Sequence, residues 1–513
     1  MRIMRSMFSG SLSARASSLT VLLATLALAA CASVDPYAKA PIAAHLKRVD
    51  AVGDCARLLQ RLDQAIDQAG VRDAQSPRVE GFPYLRVDRI TARLQPSDAG
   101  AEANHAWRER LLALDREARA IELANGGEAV GSRKDAAGVD DCRARQAQED
   151  RTAAQPVKSA QVPDDYSTAQ RAFGIYPLTK YAFASAIRNW QEETRDLHTV
   201  PLAQLPSLGE AIRYAPRPAL LLASSDTMSE PGVDALGVPR LAPALREALL
   251  ARHAPALEVD TVDANDRLGQ LIWGEGGKRI LVDTTRPLAY ARIAYTRLAG
   301  RVVPQLVYTF WFPSRPAQNY FDVLAGHLDG LVWRVTLGPD LQPLVYDSIH
   351  PCGCYHQFYP TERVRARPGP IQGQGAYDEG LFVPQSVDAP RDGERQLLRL
   401  AARTHYLRRV ANVTDEPPGA IEYHLRDDSN LRALPWPSES APSGTKSAYD
   451  SAGLIAGSER LERLLFWPMG ITSAGQMRQW GRHATAFVGR RHFDDPDLFE
   501  RYFEFSEPDT DPR

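Results

Sequence analysis

The first thirty residues narrow the folding problem before any pattern in the body is read. Arg2, Arg5 and Arg15 give a basic start, an apolar run follows from Leu19 to Ala30, and Ala29-Ala30 precede Cys31. The run is far shorter than the roughly 20 residues that cross a bilayer as a helix. A basic start, a short apolar core and small residues before a cut are the pattern of an export leader. Residues 1–30 are therefore read as a signal peptide, and 483 of the 513 residues remain to build the fold. That length suffices for a large core and for more than one domain. An exported chain folds in an oxidising compartment, where disulfides persist.

Leu28-Ala29-Ala30-Cys31 resembles the lipobox of bacterial lipoproteins. The resemblance implies cleavage before Cys31 and acylation of that cysteine, with palmitate among the chains. Ala32 stands where the family's inner-membrane retention signal has Asp. The resemblance thus implies an outer-membrane location facing the periplasm, with the membrane contacted through the N-terminal lipid. It covers the leader alone and carries no activity. No later stretch is long and apolar enough to span a bilayer, so the chain is expected to be anchored rather than inserted.

With Cys31 taken by lipid, Cys55, Cys142, Cys352 and Cys354 remain. Three pairings of four cysteines are possible. Cys55 and Cys142 fall in one helical region and Cys352 and Cys354 in another, so a Cys55–Cys142 disulfide is expected. The formal net charge of −2 gives no electrostatic case for nucleic acid or for anionic lipid. Only seven of the 61 basic residues are Lys. A composition biased by the genome accounts for that as well as recognition does.

Periodicity divides the body. Residues 31–43 read as a lipidated tether, 44–160 as a helical region and 161–513 as an α+β body built on antiparallel sheet with flanking helices. Apolar residues recur at helical spacing over His45–Ala69, and again over Ala103–Ala124, stopped by Gly126-Gly127. A weaker helix is expected around Cys142. Tyr181–Thr194 and Leu241–His253 are also helical in pattern. Period-two alternation then marks Leu288–Leu298 and Val302–Phe312 about an Ala299-Gly300 turn, and Leu331–Leu337 and Leu344–Ile349 about Gly338-Pro339-Asp340. Residues 366–395 read as loop, Leu397–Val410 as helix, and Ala420–Leu425 and Ala484–Val488 as short strands. Residues 435–457 read as a long flexible loop. A last helix, capped by Asp495, carries Leu498, Phe499, Tyr502 and Phe503 on its core face.

The sharpest candidate for chemistry is His350-Pro-Cys352-Gly-Cys354-Tyr-His356. Thiolates and imidazoles favour copper or zinc over magnesium or calcium. In a straight strand the four side chains spread over about 20 Å, too far for one ion with bonds of about 2.0–2.3 Å. Pro351 and Gly353 point instead to a tight loop that gathers some of them. The readings are a metal site, a redox-active cysteine pair, or a loop tied by a strained Cys-Gly-Cys bridge. A Cys nucleophile paired with His327 or His405 is a further arrangement. Arg478, Arg482, Arg490 and Arg491 form a basic cluster that suits an anion, or that pairs with the nearby carboxylates of 494–500. Ser443-Gly-Thr-Lys446 has the spacing of a serine–lysine pair without companion motifs, and the Asp427-Asp428 turn lacks the spacing of a calcium loop. Two functions remain open. One is a non-catalytic binding or envelope-assembly role. The other is a metal- or thiol-dependent enzyme centred on 350–356.

The leader makes one firm prediction. Cys31→Ala should abolish incorporation of labelled fatty acid and move the protein from the membrane to the soluble fraction. A wild-type chain that carries no lipid would refute the anchor.

Overall fold

A computed structural model describes residues 35–96, 100–152, 157, 160–217, 231–367, 375–414, 416–437 and 444–505. The leader, Cys31 and Ser443 lie outside these residues. Among them, no helix is long and apolar enough to cross a membrane.

The N-terminal region is built on helices α1 (Ala51–Ala69), α2 (Ala101–Gly126) and α3 (Arg133–Thr152). The expected His45–Ala69 helix is interrupted because Asp50 takes an extended conformation and accepts from the backbone N–H of Val52 and Gly53, capping α1. A separate short helix covers Ile42–His45. The expected tether is also shorter than residues 31–43. Tyr37 and Ile42 are buried with Leu59, Ile66, Tyr84 and Leu111 in one apolar cluster. Tyr37 donates its hydroxyl to Asp63 at 2.7 Å. Tyr37 therefore already belongs to the folded region. Cys55 on α1 and Cys142 on α3 are joined by a disulfide, as their positions in the sequence suggested.

Charge is buried between these helices. Asp115 accepts from Arg143 Nε at 2.7 Å and from Arg86 Nε at 3.3 Å. Arg86 also reaches Glu122 at 2.6 Å. Buried ions are tolerated only when paired and hydrogen-bonded in this way.

The body is organised by one ten-stranded sheet. Its strands in chain order are β1 (Glu210–Pro216), β2 (Ala256–Thr261), β3 (Leu288–Leu298), β4 (Arg301–Arg315), β5 (Gly326–Leu337), β6 (Pro343–Ile349), β7 (Gln357–Pro360), β8 (Arg395–Leu400), β9 (Leu407–Val413) and β10 (Ile421–Asp427). Across the sheet they run β7-β6-β5-β4-β3-β10-β1-β2-β8-β9. The α+β class is as the sequence indicated, and the hairpins β3–β4 and β5–β6 match the alternating segments. The sheet is nevertheless mixed. β10 inserts between β3 and β1 and runs parallel to both, and β8 runs parallel to β2.

Several expectations are corrected. Leu397–Val410 is not a helix but the hairpin β8–β9. Its run Leu397-Leu398-Arg399-Leu400 belongs to a strand buried along most of its length, where periodicity cannot separate helix from strand. Ala484–Val488 forms a single bridge, Ala484 to His492, rather than a strand. Residues 435–457 are not one open loop, since Thr445–Lys446 pairs with Leu434–Pro435 and Ile455 is fully buried. The terminal helix is one short turn, Leu498–Tyr502. Asp495 sits just before it and accepts from the Asp497 N–H.

The sheet does not lie open. Trp333, Tyr346 and Tyr359 near one edge share a core cluster with Leu398, Leu407 and Val410 at the other. The strands thus wrap about a common interior, and the β8–β9 turn approaches β5. Helices α4 (Tyr176–Thr199) and α5 (Pro243–Arg252) flank the sheet. The N-terminal region docks on the body through polar pairs. These include Arg432 with Asp73 at 2.9 Å, Arg89 with Asp165 at 2.8 Å and Arg93 with Asp497 at 2.7 Å.

The Cys55–Cys142 bridge closes a separation of 87 residues. On the chain-entropy argument it contributes roughly 3–5 kcal/mol. A Cys55→Ala, Cys142→Ala variant should unfold at a clearly lower denaturant concentration, measured by circular dichroism. Recovery of Cys55 linked to Cys352 or Cys354 in non-reducing peptide maps would contradict the pairing.

Candidate functional site

The wrapping of the sheet gathers polar residues from five separate segments around one carboxylate. Asp329 lies in β5, fully buried. Its Oδ1 accepts from His350 Nδ1 at 3.1 Å and from Arg460 Nη2 at 3.1 Å. Its Oδ2 accepts from His405 Nδ1 at 2.9 Å. His350 follows β6, His405 sits in the β8–β9 turn, and Arg460 precedes the short helix Glu462–Phe466. His405 Nε2 lies 3.3 Å from Asp266, and its ring stacks on Phe312 with centroids 4.1 Å apart.

The protonation states follow from these partners. Burial disfavours the Asp329 carboxylate, yet His350, Arg460 and the hydrogen bonds from both histidines hold it well below the ordinary carboxylate range. Burial also opposes charge on His405, but hydrogen bonds to Asp266 and Asp329 outweigh it and the imidazole is pushed up. For His350 burial prevails over Asp329, and its pKa falls. Its Nε2 is buried and has no hydrogen-bond partner.

Backbone strain concentrates here. Seven non-glycine residues among those described have positive φ, and four of them adjoin this network: Leu328, Tyr355, Arg403 and His405. Such conformations cost on the order of 1–3 kcal/mol each and persist where surrounding contacts over-determine them, often at functional sites.

The 350–356 segment is a tight turn, as Pro351 and Gly353 suggested. Gly353 N–H donates to His350 O at 2.8 Å, and His350 N–H to Cys354 O at 3.0 Å. Gly353 has φ +92°, and a Cβ there would meet Ala484 O at 2.4 Å, so the position requires glycine. The turn does not assemble a copper or zinc site from His350, Cys352, Cys354 and His356. His356 points to a different carboxylate, with Nε2 2.8 Å from Asp347 and Nδ1 3.2 Å from Thr485, so both ring nitrogens are occupied. Asp347 is itself gripped by its cross-strand neighbour Arg334 at 2.9 and 2.6 Å. Burial drives His356 down to about 3. Among the described residues no group of three or more His, Cys, Asp or Glu side chains is placed to hold a metal.

Cys352 and Cys354 do come together. Both are free and buried, and they line a small recess with Ile471, Ala474, Gly475, Ala484 and Phe487. A hydrogen bond from Cys354 lowers the Cys352 thiol, aided by Arg460, while the same bond and burial raise Cys354 well above its ordinary value. Neither His327 nor His405 serves as a partner base. His327 Nε2 is 2.6 Å from Ile280 O, and His405 is held by its two carboxylates.

In the basic cluster each guanidinium has partners within the chain. Arg478 is buried and donates to the carbonyls of Thr472 and Ser473. Arg482 reaches Asp165 at 3.1 Å. Arg490 pairs with Asp164 and with Thr168 at 2.7 Å. Arg491 donates to Gly380 O and to Thr485 O, both at 3.0 Å. Asp428 accepts from Arg292 at 3.0 Å, and Lys446 lies over the rings of Trp273 and Trp436.

Sequence reasoning found the histidines and cysteines of the turn but missed Asp329 and Arg460. The local signal was an Asp beside Gly330, just before the apolar run Leu331-Val332-Trp333. Comparison with protein families, with curated proteins and with solved structures finds no match for this chain.

Removing the shared anion tests how much the site supports. Asp329→Asn leaves the buried Arg460 guanidinium without its carboxylate, and loss of one partner of a buried ion pair typically costs about 3–5 kcal/mol. A loss of that size is expected in equilibrium denaturation. A change under 1 kcal/mol would mean that the network is peripheral to stability.

Proposed function

We propose that this chain is an outer-membrane lipoprotein, anchored through Cys31 and facing the periplasm, whose role is to bind a protein partner in the envelope rather than to act on it catalytically. The lipobox-like leader supports the anchor. Tyr37, packed into the N-terminal core, is six residues on from Cys31. An extended chain of that length reaches about 20 Å. The body is then held close against the bilayer rather than on a long leash.

The observation that carries the binding role is an apolar face. Phe173, Leu178, Leu461 and Leu464 are 84%, 76%, 62% and 63% exposed, and Ile175, Tyr181, Leu465 and Trp467 are also exposed. The two stretches adjoin. A Cβ on Gly174 would lie 3.0 Å from the Trp467 ring, and Phe183 meets Phe466 edge-on at 5.1 Å. On α4 the outward residues Leu178, Tyr181 and Ala182 fall at the spacing of a single helical stripe. An exposed apolar patch of this kind on a folded protein marks an interaction surface. A bilayer is the weaker occupant. Interfacial helices combine apolar residues with many basic ones, whereas the two stretches expose few and the chain carries no net positive charge.

A photo-crosslinking residue at Leu178 or Leu464 in cells should give one discrete protein adduct, and one at Glu192, on the polar half of α4, should give none. Phe173→Asp with Leu465→Asp should remove the adduct with a stability change within about 0.5 kcal/mol, as exposed positions allow. Flotation of the Cys31→Ala protein with lipid vesicles, lost in the same variant, would assign the face to the bilayer. Concentration-dependent dimerisation in sedimentation would assign it to a second copy. Either result would overturn the reading.

A further inference from the structure

The thiol pair is not used by the docking surface, and its surroundings are those of a reactive site. Cys352 and Cys354 lie on a turn fixed at both ends, and both face the recess. Its collar is apolar, with Ile471, Ala474, Ala484 and Phe487, and its free space is about 10 Å³, room for little more than one water, so a reactant meets the thiols at its mouth. The recess wall at Gly475 leads to a carboxyl group. A Cβ at Gly475, where φ is +82°, would fall 1.8 Å from Glu462 Oε1, so absence of a side chain there leaves the carboxyl against the recess wall. Glu462 is within electrostatic reach of both thiols. Arg460, two residues away, acts on Cys352 with the opposite sign, and its buried Nε has no hydrogen-bond partner.

We propose that Cys352 and Cys354 form a thiol–disulfide exchange site, with Glu462 as its proton acceptor, for a small disulfide presented at the mouth of the recess. Cys352 is assigned as the attacking sulfur, with Cys354, its neighbour on the turn, donating its S–H to the thiolate. Its electron pair forms a bond to one sulfur of the incoming disulfide, the S–S bond breaks, and the first thiolate leaves and takes up a proton. Cys354 then loses its proton to the Glu462 carboxylate. The new thiolate attacks Cys352 Sγ, closing the Cys352–Cys354 bond and expelling the second thiolate, which is protonated in turn. Two electrons pass from the pair to the substrate disulfide, and two thiols are released. A bridge across a single intervening residue is strained and easily reduced. The site therefore runs in both directions according to the thiol poise around it.

Glu462 suits the acceptor role. Burial raises its carboxyl to about 7, against the lowering effects of Arg460 and Arg315, with Asp329 and Asp322 adding to the rise. Arg478, buried nearby, also feels both thiols. A carboxyl poised near neutrality can both take and return a proton.

The experiment uses the full-length chain and glutathione disulfide. The wild type should form a Cys352–Cys354 bridge reversibly in glutathione buffers, by peptide mapping, while Cys55–Cys142 stays linked. Cys354→Ser should stop at a single glutathione adduct on Cys352. Cys352→Ser should react at least about tenfold more slowly. Glu462→Gln should slow bridge closure by about tenfold or more and remove its inflection near pH 7, and Glu462→Asp should restore part of both. Thiols that resist glutathione disulfide in the folded chain but react after unfolding in denaturant would overturn the proposal, as would an adduct trapped on Cys354 instead of Cys352. An unchanged closure rate and pH profile in Glu462→Gln would remove the carboxylate from the mechanism.

Discussion

The body depends on one buried negative charge. Asp329 takes hydrogen bonds from His350, His405 and Arg460, which belong to three different segments. In sheet order, β5 and the β8–β9 turn are far apart. The 2.9 Å contact from His405 to Asp329 is therefore a tie across the wrapped sheet. An isolated carboxylate at this depth would be protonated, and its histidine partners would lose their anchor. With Arg460 and the doubly bound His405 beside it, the carboxylate stays ionised. The arrangement fixes orientation more than it adds net stability, because three desolvated groups offset much of the attraction.

A second carboxylate repeats the logic a short distance along the same hairpin. Asp347 on β6 holds Arg334 across the strand pair and His356 beyond the turn. Arg334 in turn lies over the Phe493 ring at 3.7 Å, tying the C-terminal segment to the sheet. The two histidines that bracket the cysteines are thus each bound to a different aspartate. Their spacing reads in the sequence as a ligand set, whereas in space it serves to clamp the turn at both ends. What the clamp presents is the pair of thiols between them.

Local patterns carried much of the fold, and distant polar contacts little of the site. The hairpins β3–β4 and β5–β6 were legible because alternation and turn residues agree, and the N-terminal helices because their apolar faces repeat at helical spacing. The β8–β9 hairpin was not legible. Leu397, Leu398 and Leu400 are all buried, so alternation is lost, and its turn is made by Arg403 and His405 at positive φ rather than by glycine. β10 could be read as a strand, but nothing local indicates that it inserts beside β3, a partner more than a hundred residues earlier. The turn 350–356 stood out because its cysteines and histidines are close in sequence. Asp329, Arg460 and Glu462 did not, because single charged residues in separate segments acquire meaning only when the sheet brings them together.

One short segment connects the interior network with the exterior face. Arg460 and Glu462 are nearly fully buried, while Leu461, Leu464 and Leu465 between and after them are exposed. Arg460 is fixed to Asp329, the Glu462 carboxyl lies against Gly475, and the Glu462 N–H donates to Val323 O at 3.0 Å. Displacing this segment would strip Arg460 from a buried carboxylate, at a cost of several kcal/mol. The outward leucines are therefore carried on a support that resists adjustment. A surface held in this way loses little conformational freedom when it is covered, so more of the apolar burial remains as affinity. The cost of the buried ion pair and the exposure of the leucines are two sides of one element: the charge inside is what allows the apolar face outside to be presented rigidly.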